Sequence, residues 1–203
     1  MKKLILLLLT TIFIGCSATE ETKEKSILVL GNSIVYHSKA ESLGWYGDWG
    51  MAASSPDKDF AHILKANIPN YNFKIKNVAQ WEQSFSTAFY GATEHYDYIF
   101  VKLSENVTDL ERYKEELPKL LKSYMDENTK VFLISSVWFS PEKDLITKET
   151  AESLNQTYVD ISEMQLESTY YAWNEYENGA VGCHPENRGM DFIAKKCLKS
   201  LQN

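Results

Sequence analysis

Five short strand-like runs separated by amphipathic, helix-like segments constrain this chain more than any other feature of its sequence. Ile27 to Leu30, Tyr71 to Ala79, Tyr96 to Leu103, Lys130 to Ser135 and Thr157 to Ile161 have the length and the β-branched or aromatic content of strands. Between them, residues 57–66, 83–90, 109–126 and 147–155 read as helices, and residues 186–201 close the chain in the same way. Phe60, Ile63 and Leu64, for example, fall on one helical face. Strands joined through helices run parallel and need apolar cover on both faces of their sheet. The expectation is an α/β domain over residues 26–203, a three-layer α/β/α sandwich around a five-stranded, mainly parallel sheet. Pro118 is expected to bend the 109–126 helix.

Residues 1–15 stand apart from that domain. Lys2-Lys3 followed by an uncharged, mostly apolar stretch from Leu4 to Gly15 reads as an export signal, too short to span a bilayer comfortably. It ends in Phe13-Ile14-Gly15-Cys16, which resembles a bacterial lipobox and makes Cys16 the expected lipidation site. Residues 16–25 are polar, lack aromatic side chains and read as a flexible tether. The expected location is the cell envelope, periplasmic or cell-surface side, with the lipid at Cys16 as the sole membrane attachment. The formal net charge of −7 becomes more negative without Lys2 and Lys3, which argues against nucleic acid and anionic membrane as partners. Cys183 and Cys197 are expected to be separate thiols, and no second histidine stands near either to suggest a metal site.

Chemistry is expected where strands end, because groups that act on ligands collect at the carboxyl edge of such sheets. Gly31-Asn32-Ser33 follows the first run and offers a serine on a turn. Asn106 follows the third run, within Leu103-Ser104-Glu105-Asn106-Val107. His184, in Cys183-His184-Pro185, lies just before the last helix. A serine needs a base to remove its proton, and an acyl-transfer intermediate needs fixed donors for its oxyanion. His37, His62 and His95 are less well placed for the first task.

In order and spacing these blocks resemble the SGNH hydrolase superfamily, also called GDSL esterases, across nearly all of residues 26–201. The run Gly44-Trp45-Tyr46-Gly47-Asp48-Trp49-Gly50-Met51-Ala52-Ala53-Ser54 resembles a segment found in a subset of such proteins. The resemblance implies a flavodoxin-like sheet, Ser33 as nucleophile, His184 as general base and Asn106 as an oxyanion donor beside the Ser33 N–H. It implies no cofactor and no metal.

Three departures accompany the resemblance. Asn32 replaces the family's usual aspartate. The glycine that supplies a backbone donor after the second strand is missing from Asn77-Val78-Ala79-Gln80-Trp81-Glu82, leaving Gln80 or Trp81 to fill that place. Val181 stands where an aspartate usually orients the histidine, so the expectation is a Ser33–His184 dyad unless a backbone carbonyl or a carboxylate from elsewhere, with Asp48, Glu82 and Glu105 as candidates, takes that place. Asp48 and Trp49, with Trp45 and Tyr46 beside them, are expected to line a substrate groove together with Gln80 and Trp81. The expected activity is a carbohydrate O-acetylesterase with a glycan ester as substrate. The alternatives are a lipase or lysophospholipase, or a non-catalytic glycan-binding lipoprotein on the same scaffold.

Overall fold

The computed structural model describes residues 24–91 and 94–202. The expected export signal, Cys16 and nearly all of the expected tether lie outside these residues. Five strands, β1 (Ser26–Gly31), β2 (Asn72–Asn77), β3 (Tyr98–Lys102), β4 (Lys130–Ile134) and β5 (Thr157–Val159), form one sheet in the order β2-β1-β3-β4-β5. Every pairing is parallel. The helices are α1 (Phe60–Asn67), α2 (Trp81–Ser84), α3 (Leu110–Lys122), α4 (Pro141–Ser153), α5 (Gly179–Gly182) and α6 (Asn187–Ser200).

Strand periodicity divides the core into two layers. Ile27 and Val29 of β1 turn to the side covered by Phe60 and Leu64 of α1 and by Ile193 and Cys197 of α6. Leu28 and Leu30 turn the other way, onto Trp81 of α2 and Tyr113, Leu117 and Leu121 of α3. Ile146 and Ala151 of α4 complete that second layer. The expected three-layer α/β/α sandwich around a five-stranded parallel sheet is therefore present.

Local chemistry explains where the elements differ from expectation. The segment read as one helix over 83–90 breaks in two. Helix α2 stops at Phe85, which takes a left-handed conformation with φ 52°, and Ser86 then caps a separate turn by accepting from Ala88 N–H. Helix α4 begins at Pro141, six residues before the expected 147, because proline at the first helical position lacks only a donor that would be unpaired there. Pro118 lies inside α3, which continues through it. Cys183 and Cys197 are two free thiols, the second wholly buried within α6.

Gly31, the last residue of β1, brings the nucleophile block close to β3. A side chain there would collide with the Lys102 carbonyl and with Val35. Beyond it, strand order reverses between β1 and β3, so the turns after these two strands diverge around a crevice at the carboxyl edge of the sheet. Ser33 follows one strand and Asn106 the other.

Candidate active site

The turn after β1 is built by its asparagine. Asn32 Oδ1 accepts from Ile34 N–H at 3.1 Å, and the Asn32 carbonyl accepts from Val35 and Tyr36 N–H. An Asx turn of this kind fixes the backbone next to the serine. Ser33 Oγ then lies 2.8 Å from His184 Nε2, across 151 positions of sequence. The Ser33 N–H has no intramolecular acceptor among the described residues.

His184 arrives from a loop held on three sides. Its carbonyl accepts from Ala172 N–H at 3.1 Å, and Pro185 bridges to Tyr171. Asn178 caps α5 through Ala180 N–H, and the Trp138 indole N–H donates to the Cys183 carbonyl at 2.9 Å. The Trp138 ring also meets the imidazole edge-on at 6.0 Å. His184 is 5% exposed, and burial pushes its pKa down to about 4, against the opposing pull of the Val181 carbonyl and the more distant Glu105 charge. Nδ1 meets Cys183 Sγ at 3.7 Å and no carboxylate among the described residues.

Of the three acids considered for the vacant position, none bonds to the imidazole. Asp48 is exposed. Glu82 and Glu105 are buried, but they serve the opposite side of the site. Glu82 Oε2 accepts from Asn106 Nδ2 at 2.6 Å, and Oε1 accepts from Ser104 N–H at 2.6 Å, Asn32 Nδ2 at 3.3 Å and Asn106 N–H at 3.4 Å. Glu105 accepts from Asn32 Nδ2 at 2.6 Å and Val137 N–H at 3.0 Å, and pairs with the fully buried Lys102. Burial and the Glu105 charge raise Glu82 to about 7 despite its donors, whereas Lys102 and the donors around Glu105 hold that carboxyl below the usual range in spite of its own burial.

After β2, the backbone donors are nearly all used. Val78, Ala79, Trp81 and Glu82 N–H bond to Gly31 O, Asn77 Oδ1, Val78 O and Ala79 O respectively. Of the two residues considered for the missing glycine, Gln80 alone keeps a backbone N–H without an acceptor among the described residues.

The structure corrects part of the expected substrate groove. Trp81 is wholly buried against Phe85 and Tyr113, so its indole is core and cannot touch a ligand. Trp45 is also buried, and its N–H donates to the His37 carbonyl. Trp49 is half-buried, meets Trp45 edge-on and gives its N–H to Ala53 O at 2.7 Å. Only Tyr46, Asp48 and Gln80 of that set are exposed. Sequence reasoning missed a different groove, of about 280 Å³, lined by Trp138, Phe139, Gln165, Leu166, Tyr171 and Trp173. The available signal was Val137-Trp138-Phe139, apolar residues separated from the end of β4 by Ser135 and Ser136 alone.

No family model matches this sequence, and no curated relative does. Solved structures do resemble it. A GDSL-lipase-like protein from Bacteroides uniformis superposes with a TM-score of 0.59 at 13% identity, covering 88% of this chain and 96% of the other. A family two carbohydrate esterase from Cellvibrio japonicus gives 0.54 at 12% identity, with 88% and 61% covered. A salicylyl-acyltransferase from a tetracycline biosynthetic pathway gives 0.58 at 14% identity; 90% of this chain is covered, but it spans only 55% of that protein. With its parallel β2-β1-β3-β4-β5 sheet, this chain has the fold of the SGNH hydrolase superfamily.

Proposed function

We propose that this protein is a serine ester hydrolase that removes acetyl or similarly small acyl groups from a carbohydrate. The 2.8 Å contact between Ser33 Oγ and His184 Nε2 carries the reading. Ser33 Oγ attacks the acyl carbonyl carbon while His184 Nε2 takes the hydroxyl proton, giving a tetrahedral intermediate. The Ser33 N–H, the second N–H of Asn106 Nδ2 and the Gln80 N–H are the donors proposed for its oxyanion. Collapse expels the sugar alcohol, which receives the proton from His184. Water, deprotonated by the same nitrogen, then releases the acid and regenerates Ser33. Burial keeps His184 neutral near pH 7, the state that general-base action requires.

The carbohydrate assignment draws on the groove beside Trp138, lined by the exposed Trp173 and by Tyr171, aromatic rings of the kind that stack on sugars. The expected location adds to it: lipidation at Cys16 would hold the domain at the envelope, and labelling by a radioactive fatty acid that is lost in Cys16→Ala tests that part. Hydrolysis of a chromogenic acetate ester, measured beside Ser33→Ala and His184→Ala, tests the enzyme. Activity confined to the wild type supports the reading. Equal rates in all three proteins would favour the second reading, a glycan-binding module without catalysis, to which the lack of a carboxylate at His184 Nδ1 points.

A further inference from the structure

We propose that Glu82 is the positioning residue of the oxyanion site, aiming the Asn106 amide and locking it to the nucleophile turn. The proposal rests on the esterase reading above. An oxyanion donor works only when it is aimed before the charge develops, and a free asparagine side chain rotates about two bonds. Glu82 removes that freedom. One oxygen takes an Asn106 Nδ2 proton at 2.6 Å, which fixes the amide plane and leaves the second proton for substrate. The other takes the Ser104 and Asn106 N–H groups, which fixes the backbone that carries the amide.

The same carboxylate reaches the turn that carries the nucleophile, through Asn32. Asn32 Nδ2 donates both to Glu82 and to Glu105, so the turns after β1, β2 and β3 meet on two buried carboxylates. Asn32, unlike the aspartate usual at its position, can donate to them. An aspartate there would place a third carboxylate against Glu82 and Glu105, so the amide at 32 and the acids at 82 and 105 form one matched set. Lys102 offsets the charge of Glu105 from within the same buried cluster. A carboxylate is a costly filler for a buried site, and each hydrogen bond that Glu82 accepts comes from a donor of the site's own turns.

The test compares Glu82→Gln, Asn106→Ala and the double variant on a chromogenic acetate ester, and follows the Asn106 side-chain amide by NMR. Glutamine keeps the volume but presents an NH2 to one set of donors. The expected result for Glu82→Gln is a kcat lower on the order of a hundredfold, with KM changed by less than about threefold. The double variant should be no slower than Asn106→Ala, because both changes remove one device. Independent, multiplying losses or an unchanged kcat in Glu82→Gln would overturn the proposal. The NMR arm separates this idea from the esterase reading, since it needs no turnover and is decided on the wild type if Glu82→Gln does not fold. A downfield, slowly exchanging Asn106 amide proton supports the positioning role even in a protein without esterase activity. A solvent-like amide resonance in the wild type overturns it.

Discussion

Ser33 Oγ lies 2.8 Å from His184 Nε2, whereas the other ring nitrogen of His184 faces Cys183 Sγ and no described carboxylate. The imidazole is therefore oriented by packing and by the loop beneath it rather than by an ion pair. A triad acid stabilises the imidazolium that forms during catalysis and raises its pKa. Here burial works in the opposite direction.

The first consequence concerns pH. With His184 held down to about 4, the base remains neutral well into acid, so the histidine itself should limit kcat/KM only near pH 4; loss of rate nearer pH 7 is expected to come from protonation of Glu82, and that limb should be absent in Glu82→Gln. Folding stability is linked to the His184 shift. Between pH 4 and 6.5 the unfolded chain binds the proton and the folded chain does not, so His184's contribution is present above 6.5 and is lost as pH falls towards 4. Relative to His184→Ala, wild-type stability should rise by at most about 3 kcal/mol across that interval. Paired urea titrations at several pH values measure it; no pH-dependent difference would contradict the assignment.

Supplying an acid at position 181 should fail. Val181 packs into an apolar cluster with Trp45, Met51, Ala52 and Ala172, so a carboxylate there is buried without a partner. Val181→Asp is expected to cost on the order of 3 kcal/mol in stability with no gain in kcat. Denaturant unfolding and esterase rates on one preparation check both halves.

Ser104 is a site of stored strain. It has φ 139°, in the region that favours glycine, and its hydroxyl is buried without a hydrogen-bond partner among the described residues. Ser104→Gly should stabilise the fold by about 1–2 kcal/mol by relieving both defects, while its N–H continues to serve Glu82. A higher urea midpoint with an unchanged slope is the expected observation.

The groove beside Trp138 should govern the alcohol half of the substrate. Trp173 is 50% exposed at its rim, and a ring lost there removes stacking but no catalytic group. Trp173→Ala should raise KM for an acetylated oligosaccharide by roughly 3- to 10-fold and leave hydrolysis of a small chromogenic acetate unchanged. Equal effects on both esters would place the sugar elsewhere.

The sheet was legible because its signal is local: β1, β3 and β4 are continuous apolar runs, as strands covered on both faces must be. Ser33 and Asn106 follow the first and third strands and His184 precedes the last helix, and the structure brings Ser33 and His184 into contact. Glu82 and Glu105 stand out in the sequence as acids that could serve His184, but in the structure they hold Asn32, Asn106 and Lys102 instead. Which donor a buried carboxylate meets depends on how the turns after three different strands fit together, and spacing does not encode that. Trp81 illustrates the same limit. Its neighbours in sequence suggested a groove, but its position on the first turn of α2 directs the indole into the core.

The 151 residues that separate Ser33 from His184 have a consequence for the chain as it is made. On the proposed mechanism the nucleophile is among the first parts of the domain to be synthesised and its base among the last. Until α6 and the loop ahead of it have docked, Ser33 would then be an ordinary alcohol. A polypeptide that stops short of His184 should accordingly resist covalent labelling at Ser33 by an activated phosphonate, and the label should report only chains that extend through the docked loop.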